Sequence, residues 1–367
     1  MLRRFPSLLL AAAVAAAPAA PVSAAAKQVA KKAARKPVKS APKVDYVGEQ
    51  VNFGEWQAVA EFEDEMVARH DFTRAELDAL IGQVRLVDAA LQLVKPAPPG
   101  KPKNWQAYRA LFVEPVRIGA GIAFWNEHAE VLARAEATYG VPAEIIVGII
   151  GVETVYGRNT GRFRVMDALT TLAFTYPETP NRAARMDFFR GELENTLLLA
   201  RRNHIDPLSL IGSFAGAVGL PQFMPGSVLE YGVDFDGDGQ IDLRNSAVDA
   251  IGSVANFLAQ HGWQRNLAGP AVYAANVSPS RAWEGMIGLG LKASLRQDEL
   301  NAAGVACDGA LPANLLFGLV DLQNGADPTE YWLATDNFFA ITQYNRSYFY
   351  AMSVIELGRA VRLGRGV

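Results

Sequence analysis

One apolar run in the middle of the chain limits the folds that this sequence can adopt. The segment "PAEIIVGIIGVETVYG", residues 142–157, is apolar on every side of a helix through Ile150. A helix without a polar face has to be buried. Pro142 stands at its start, where the missing N–H does no harm in the first helical turn. The pattern therefore predicts a central helix with the other elements packed around it.

The rest of the chain is predicted to be mainly helical, without internal repeats. Residues 316–345 are the exception, because β-branched and aromatic residues there surround the turn signal "NGADP", which is typical of antiparallel strands. The predicted fold class is therefore mainly α (α+β), with a small β element late in the chain. Apolar residues recur at helical spacing in several segments: residues 52–84, 115–140, 185–203, 248–260 and 347–364. Residues 115–140 are predicted to form one long helix that ends at Gly140.

Residues 1–26 have the pattern of a secretory signal peptide. Arg3 and Arg4 precede an apolar stretch and a zone of small residues suited to cleavage. The stretch is too short and too rich in alanine to form a stable membrane anchor, and no cysteine follows it to carry a lipid. The single cysteine, Cys307, excludes a disulfide within one chain. We expect a soluble protein exported to the periplasm.

A basic segment, residues 27–44, separates this leader from an acidic body. The segment has a charge of +7 and no aromatic residue, and such a composition predicts a disordered linker. Residues 45–367 hold 26 basic and 38 acidic residues, a net charge of −12. The linker either touches anionic wall polymers or lipid headgroups or serves only as a solubilising spacer, and both interpretations stay open.

Glu153 follows the apolar run directly and is the first candidate for chemistry. A buried carboxylate is costly unless it is paired, and burial raises the pKa of a carboxyl group. A protonated carboxyl group near neutral pH can act as a general acid. The alternative is a helix-end glutamate that hydrogen-bonds a neighbouring loop, and the residues alone do not separate the two.

A second motif, residues 212–232, reads "GSFAGAVGLPQFMPGSVLEYG". Its glycines and prolines interrupt any helix, while Ser213, Gln222 and Phe223 supply polar and stacking groups. Such a segment suits a cleft wall that binds a sugar, or a tight crossing of two helices that requires small residues. It does not match the G-x-S-x-G pattern, which argues against a serine hydrolase.

The third motif, "DFDGDGQIDLRN", has the spacing of an EF-hand loop. Carboxylates stand at loop positions 1, 3 and 5, glycine at 6 and a backbone carbonyl at 7. Position 12 is Asn245 rather than an acid, so Asp249 is the candidate for the last ligand of a longer loop, residues 234–249. We expect a structural Ca²⁺ or Na⁺ ion. The predicted ligands are Asp234, Asp236, Asp238, Gln240 and Asp249.

Other kinds of site are absent from the sequence. The four histidines have no spacing typical of zinc ligands, and no dinucleotide or phosphate-loop motif is present. No organic cofactor is expected. The acidic body argues against binding to nucleic acid.

These motifs together resemble the lytic murein transglycosylase B family of bacterial cell-wall enzymes. Four segments carry the resemblance, which extends from about residue 45 to the end: "YGVPAEIIVGIIGVETVYGRNTG", "GSFAGAVGLPQFMPGS", "DFDGDGQIDL" with "VDAIGSVANFLAQHGW", and "FFAITQYNRSYFYAMSV". The resemblance implies a catalytic region over residues 45–367. It would consist of a lysozyme-like α domain with an EF-hand-type loop and a small antiparallel β domain at about residues 280–343.

The resemblance also implies a mechanism. Glu153 would be the single acid/base, protonating the glycosidic oxygen between N-acetylmuramic acid and N-acetylglucosamine and then accepting the proton of the muramyl C6 hydroxyl, which closes a 1,6-anhydro ring. Ser213 would bind near the acetamido group, and Arg185, with Arg182 as its rival, would meet the peptide stem or lactyl carboxylate. The other implied saccharide contacts are Gln222, Tyr344, Asn345, Tyr350 and Tyr108.

Three alternatives remain at this stage: a muramidase that hydrolyses with water, a non-catalytic peptidoglycan-binding protein, and a calcium sensor. The expected partners are peptidoglycan glycan strands and other cell-wall enzymes, and the chain is expected to be a monomer.

Overall fold

The computed structural model describes residues 51–96, 102–267 and 269–366. The predicted signal peptide and linker lie outside these residues. The α-helices of the described residues are α1 Gln57–His70, α2 Arg74–Ile81, α3 Asp88–Leu93, α4 Trp105–Arg109, α5 Pro115–Glu127, α6 Ala129–Tyr139, α7 Ala143–Thr154, α8 Val165–Thr175, α9 Arg182–Arg202, α10 Pro225–Tyr231, α11 Ala247–Gln260, α12 Gln297–Ala302, α13 Asp336–Tyr344 and α14 Tyr348–Arg365. The strands are β1 Phe163–Arg164, β2 Ile211–Gly212, β3 Val272–Val277, β4 Val305–Cys307, β5 Gly318–Asn324 and β6 Asp327–Ala334.

The apolar run forms the predicted central helix, α7. Its residues 145–152 are all buried, and the helix begins directly after Pro142. Helices α5, α6, α11 and α14 pack around it. Each buried methylene contributes about 0.8 kcal/mol, so the apolar side chains of this helix stabilise the core around it.

Helix α14 crosses α7 at very short distance because each helix has a glycine at the contact. A Cβ atom on Gly148 would lie 2.3 Å from the carbonyl oxygen of Val354, and one on Gly358 would lie 2.2 Å from that of Glu144. No side chain fits at either position. The close approach brings the N-terminal part of α14 to the C-terminal end of α7, where Glu153 lies.

The larger sheet is antiparallel, with strand order β4-β3-β6-β5. It covers its own small core, which includes Trp283, Leu300 and Phe317. Hydrogen bonds connect it to the segment that contains α4: the N–H of Gln106 donates to the side chain of Asn324 (3.0 Å), and the N–H of Gly325, in the turn between β5 and β6, donates to the carbonyl of Lys103 (2.8 Å). Its strands lie between Val272 and Ala334.

Two local predictions were wrong. Residues 336–344, expected to continue the strands, form helix α13, because Phe338, Ile341 and Tyr344 pack into the main core and tertiary burial overrides local strand propensity. Residues 115–139, expected as one helix, divide into α5 and α6 at His128 (φ −112°, ψ 25°), whose ring packs against Phe124 with 4.6 Å between centroids.

In the described part of the chain, no single helix is long and apolar enough to cross a membrane. Helices α6 and α7 pass that test only as a pair, and they are bent by 114° relative to each other.

Candidate active site

Glu153 lies in the last turn of α7, half-buried. Its Oε1 accepts a hydrogen bond of 2.6 Å from the hydroxyl of Tyr350 in α14. Burial raises the pKa of Glu153 from its ordinary value to about 7, and the hydrogen bond from Tyr350 opposes part of that rise. The carboxyl group can therefore both hold and release a proton near neutral pH.

Three tyrosines from three helices surround this carboxyl group. The rings of Tyr344 and Tyr350 stack with 6.3 Å between centroids, and the Tyr344 hydroxyl donates to the carbonyl of Pro221. Burial, followed by the nearby charge of Glu153, raises the pKa of Tyr108 to about 12. The same two causes hold the pKa values of Tyr344 and Tyr350 well above their usual range. All three tyrosines are neutral hydrogen-bonding groups near neutral pH.

Thr154 connects the end of α7 to the second motif. Its fully buried hydroxyl donates to the carbonyl of Leu220 (2.8 Å) and accepts from the N–H of Gly157 (3.0 Å). The sequence interpretation did not single out this residue. Its position could have indicated a role: it lies next to a candidate acid at the end of an apolar helix, and a buried hydroxyl requires a partner.

Residues 213–224 of the second motif form a series of tight turns, and its residues 225–231 form α10, which packs closely against α9 at Gly226. The Ser213 hydroxyl accepts from the N–H of Ala217 (3.0 Å), whose carbonyl accepts from the N–H of Ser213 (2.8 Å). Gln222 has a left-handed backbone (φ 52°), and its Nε2 donates to the carbonyls of Gly219 (2.9 Å) and Thr160 (3.2 Å). The motif is thus a rigid wall beside α7.

The remaining predicted substrate residues have different surroundings. Asn345 is the C-cap of α13, directly after Tyr344, and is partly exposed. Arg182 donates to the carbonyl of Tyr176 (2.7 Å) and pairs with Glu178 (3.3 Å). Arg185 lies one turn further along α9 and has no ion pair among the described residues.

Two other acids of the helical part, Asp167 and Glu192, have partners of their own. Asp167 is buried and pairs with Arg164 (2.8 Å). Glu192 accepts from the N–H of Gly226 (2.8 Å), and burial raises its pKa to about 6. Within the described residues, no carboxylate perturbs the pKa of Glu153, which responds only to burial and to Tyr350.

The acidic loop gathers three of its predicted ligands. Carboxylate oxygens of Asp234, Asp236 and Asp249 lie within 4.8 Å of one another, and Asp249 is buried. Asp238 and Gln240 are exposed, and Asp238 is not part of this group. Oxygen donors of this kind are what a hard cation such as Ca²⁺ prefers.

Asp249 bridges the two halves of this loop. One of its oxygens accepts from the N–H of Phe235 (2.8 Å) and the other from the N–H of Asp242 (2.9 Å). Asp234 accepts from the N–H groups of Gly237 (2.7 Å) and Gly239 (2.8 Å). The loop is therefore folded around its carboxylates although it is longer than twelve residues.

Comparison with known families defines the class of protein. Residues 54–359 match the family described as Transglycosylase SLT domain. The match covers more than half of the chain, so the chain belongs to this transglycosylase family, as its motifs predicted.

The relatives specify the activity. Over 314 residues the chain is 43% identical to membrane-bound lytic murein transglycosylase B of Escherichia coli (strain K12), covering 83% of this chain and 82% of the relative. The chain is a lytic transglycosylase that cleaves peptidoglycan.

Solved structures agree with this assignment. Soluble lytic transglycosylase SltB1 from Pseudomonas aeruginosa has 46% identity and a TM-score of 0.76, with 84% of this chain and 100% of that chain covered. Escherichia coli lytic transglycosylase Slt35, solved in complex with calcium, has 40% identity and a TM-score of 0.76, covering 89% of this chain and 100% of that chain. The mainly helical, lysozyme-like fold with a small antiparallel sheet is confirmed.

SltB3 from Pseudomonas aeruginosa, solved in complex with NAG-anhNAM-pentapeptide, is more distant. It has 27% identity and a TM-score of 0.69, covering 83% of this chain and 79% of that chain.

Proposed function

We propose that Glu153 is the single acid/base of this lytic transglycosylase and that cleavage leaves 1,6-anhydromuramyl ends. One observation carries the proposal: the carboxyl group of Glu153 has a pKa of about 7 because of burial, and no other carboxylate of the described residues perturbs it. A group with a pKa near the working pH serves equally well as acid and as base.

The reaction proceeds without water. Protonated Glu153 donates its proton to the oxygen that links muramyl C1 to the next sugar, and the C1–O bond breaks. The neighbouring acetamido oxygen assists at C1. The C6 hydroxyl of the same muramyl residue then bonds to C1 and transfers its proton to the Glu153 carboxylate, which restores the acid. Atoms and charge balance with the substrate alone.

The residues around Glu153 are proposed to hold the saccharide. Tyr108 and Tyr350 present their rings and hydroxyls beside the carboxyl group. Tyr344 contributes its ring, because its hydroxyl is bonded to Pro221. Gln222 offers its side-chain oxygen, because its Nε2 already donates to two carbonyls. Ser213 and Asn345 complete the proposed set.

Arg185, rather than Arg182, is proposed to meet a carboxylate of the peptide stem or the lactyl group. Arg182 is bonded to Tyr176 and Glu178. In the described chain Arg185 has no such partner and is partly exposed.

A hydrolysing muramidase is the alternative of the same class. In the usual glycosidase scheme a second carboxylate activates water or attacks the sugar. The buried acids Asp167 and Glu192 are both bonded to other groups, Asp167 to Arg164 and Glu192 to the N–H of Gly226. This arrangement favours the reaction in which the substrate's own hydroxyl acts.

Replacement of the acid tests the assignment. Glu153→Gln should lower the turnover of peptidoglycan roughly 100-fold to 10,000-fold, since general acid/base catalysis supplies about that factor, while binding to sacculi persists. The matched control is Glu144→Gln, on the same helix but paired with Arg362, which should keep its turnover. Unchanged turnover in Glu153→Gln would exclude Glu153 as the acid, and a wild-type protein that binds sacculi without turnover would favour a wall-binding role.

The acidic loop is proposed to hold a structural cation. Asp234, Asp236 and Asp249 fit a hard cation by their oxygen donors and mutual spacing. Asp238 and Gln240 remain proposed ligands through the EF-hand pattern. Ca²⁺, or Na⁺ in its place, would fix the loop against α11 and takes no part in the chemistry.

Export to the periplasm is proposed from the leader pattern of residues 1–26. The substrate lies outside the cytoplasmic membrane, which supports the same location. Recovery of the mature protein in the soluble periplasmic fraction is the expected outcome, and recovery with the membrane fraction would contradict it.

A further inference from the structure

The three residues that follow Thr154 all have left-handed backbone conformations. The φ angles are 52° at Val155, 58° at Tyr156 and 85° at Gly157. Glycine adopts this region freely, but a β-branched or bulky residue there is strained. Strain of this kind persists only where the surroundings fix it, and it is concentrated at functional sites.

The ring of Tyr156 fills a space between the helices beside this turn. It packs against Phe124 of α5 with 5.2 Å between centroids. A Cβ atom added at Gly121 in α5 would lie 2.3 Å from the Tyr156 hydroxyl, and one added at Gly151 in α7 would lie 2.4 Å from it. Both distances are shorter than real contacts allow, so these two glycines provide the space that the ring fills. Leu357, in α14, also lies beside Gly151.

The ring, rather than the hydroxyl, accounts for this placement. The Tyr156 hydroxyl oxygen is buried and has no hydrogen-bond partner in the described part of the chain. A buried hydroxyl without a partner contributes no net stabilisation. Phenylalanine should therefore replace tyrosine here without loss.

The left-handed turn also completes the last turn of α7. The N–H of Val155 donates to the carbonyl of Gly151 (3.1 Å), and the N–H of Tyr156 donates to that of Ile150 (3.4 Å). Glu153 lies within the segment that these two bonds close. A shift of the turn would therefore move the Glu153 carboxyl group out of its contact with Tyr350.

We propose that Tyr156 is a positioning residue: its ring, seated between α5, α7 and α14, holds the left-handed turn that fixes the direction of Glu153. The proposal rests on the proposed role of Glu153 as the acid/base. Tyr156 is not proposed to touch the reacting atoms.

The test compares Tyr156→Ala with Tyr156→Phe on soluble peptidoglycan fragments, with kcat and KM measured against pH. Tyr156→Ala should lower kcat roughly 100-fold, the cost of misplacing a catalytic group by about 1 Å, with KM nearly unchanged. It should also move the alkaline limb of the pH profile of kcat to lower pH, because a more exposed Glu153 has a lower pKa. Tyr156→Phe should behave as the wild type.

Tyr176→Leu is the matched control, because Tyr176 is also a buried aromatic residue, stacked on Phe189 of α9 at 5.8 Å, and is not part of the proposed site. It should lower Tm without moving the alkaline limb. Gly121→Ala supplies a second variant that displaces the ring from α5 and leaves α7 itself unaltered. It should reproduce the lower kcat and the shifted limb, and it decides the question if Tyr156→Ala does not fold.

Two results would overturn the proposal. One is a Tyr156→Ala variant, or a Gly121→Ala variant if the first does not fold, that loses only Tm, as Tyr176→Leu does. The other is a Tyr156→Phe variant as impaired as Tyr156→Ala. Active Glu153→Gln would instead overturn the proposed role of Glu153, so the two failures are distinguishable.

Discussion

Two opposed influences act on the carboxyl group of Glu153. Burial favours its protonated form, while the hydrogen bond from Tyr350 favours the carboxylate. The balance leaves a pKa of about 7. Tyr350 thus has a role beyond the saccharide contact that the sequence implied, since it adjusts the proton affinity of the acid.

Removal of the Tyr350 hydroxyl should expose this balance. In Tyr350→Phe the carboxylate loses a donor, so the pKa of Glu153 should rise further. Because the protonated form starts the reaction, the alkaline limb of kcat should move to higher pH. Measurement of kcat from pH 5 to 9 checks this, with Tyr348→Phe as the neighbouring control. A limb that stays in place or moves to lower pH would show that Tyr350 does not tune Glu153.

The same pKa has a consequence for stability. A carboxyl group whose pKa is higher in the folded than in the unfolded protein binds more protons when folded, so the free energy of unfolding falls as pH rises from about 4.5 to about 7. Glu153→Gln removes the titrating carboxyl group and therefore removes this fall in the free energy of unfolding. The variant should match the wild type below pH 4.5 and exceed it by up to about 3 kcal/mol above pH 7. Denaturant unfolding at pH 4 and pH 8 checks the prediction, and an equal difference at both pH values would contradict it.

At the scale of elements, the site depends on how the end of α7 joins its neighbours. The Gly148 and Gly358 contact brings α14 close enough for Tyr350 to reach Glu153. Thr154 ties the same end to the wall at Leu220. Helix α7, helix α14 and the wall formed by the second motif are therefore fixed relative to one another beside Glu153.

Thr154 and Thr170 offer a matched pair of fully buried threonines. Thr154→Val should lower the free energy of unfolding by about 1–3 kcal/mol, because it leaves the N–H of Gly157 and the carbonyl of Leu220 without their partner. The Thr170 hydroxyl has no partner among the described residues, so Thr170→Val should be neutral or stabilising. Chemical denaturation of both variants is the measurement. Equal losses would mean that the Thr154 hydrogen bonds contribute nothing.

The sequence predicted elements better than the contacts between them. The apolar run was enough to place α7 in the core, because a helix without a polar face has no other stable location. The contact between Glu153 and Tyr350 joins residues 197 positions apart and depends on a helix crossing that leaves no periodic signal. Helix α13 was mistaken for strands because its aromatic and β-branched residues have strand propensity, and only its burial decides the outcome.

At the scale of the whole molecule, the acidic loop lies between α10 and α11 and closes on Asp249 at the start of α11. Its carboxylates repel one another unless a cation is bound. A cation bound at the proposed site should therefore act on the stability of the fold rather than on the chemistry at Glu153.

Calcium should raise Tm without changing the far-ultraviolet circular dichroism. At a Ca²⁺ concentration of 100 times Kd the stabilisation should be about 2.7 kcal/mol. Asp249→Asn should abolish the effect, whereas Asp327→Asn, an exposed acid at the start of β6, should retain it. The same Tm in Ca²⁺ and in chelator would contradict the proposed site, and a large spectral change would favour a calcium sensor.

Mass analysis of the products tests the central claim most directly. Sacculi digested by the wild-type protein should release fragments whose muramyl ends are one water lighter than the hydrolysis product and resist reduction by borohydride. Glu153→Gln should release these fragments roughly 100-fold to 10,000-fold more slowly. Release by the wild type of only borohydride-reducible muramic acid ends would contradict the mechanism and identify a hydrolysing muramidase.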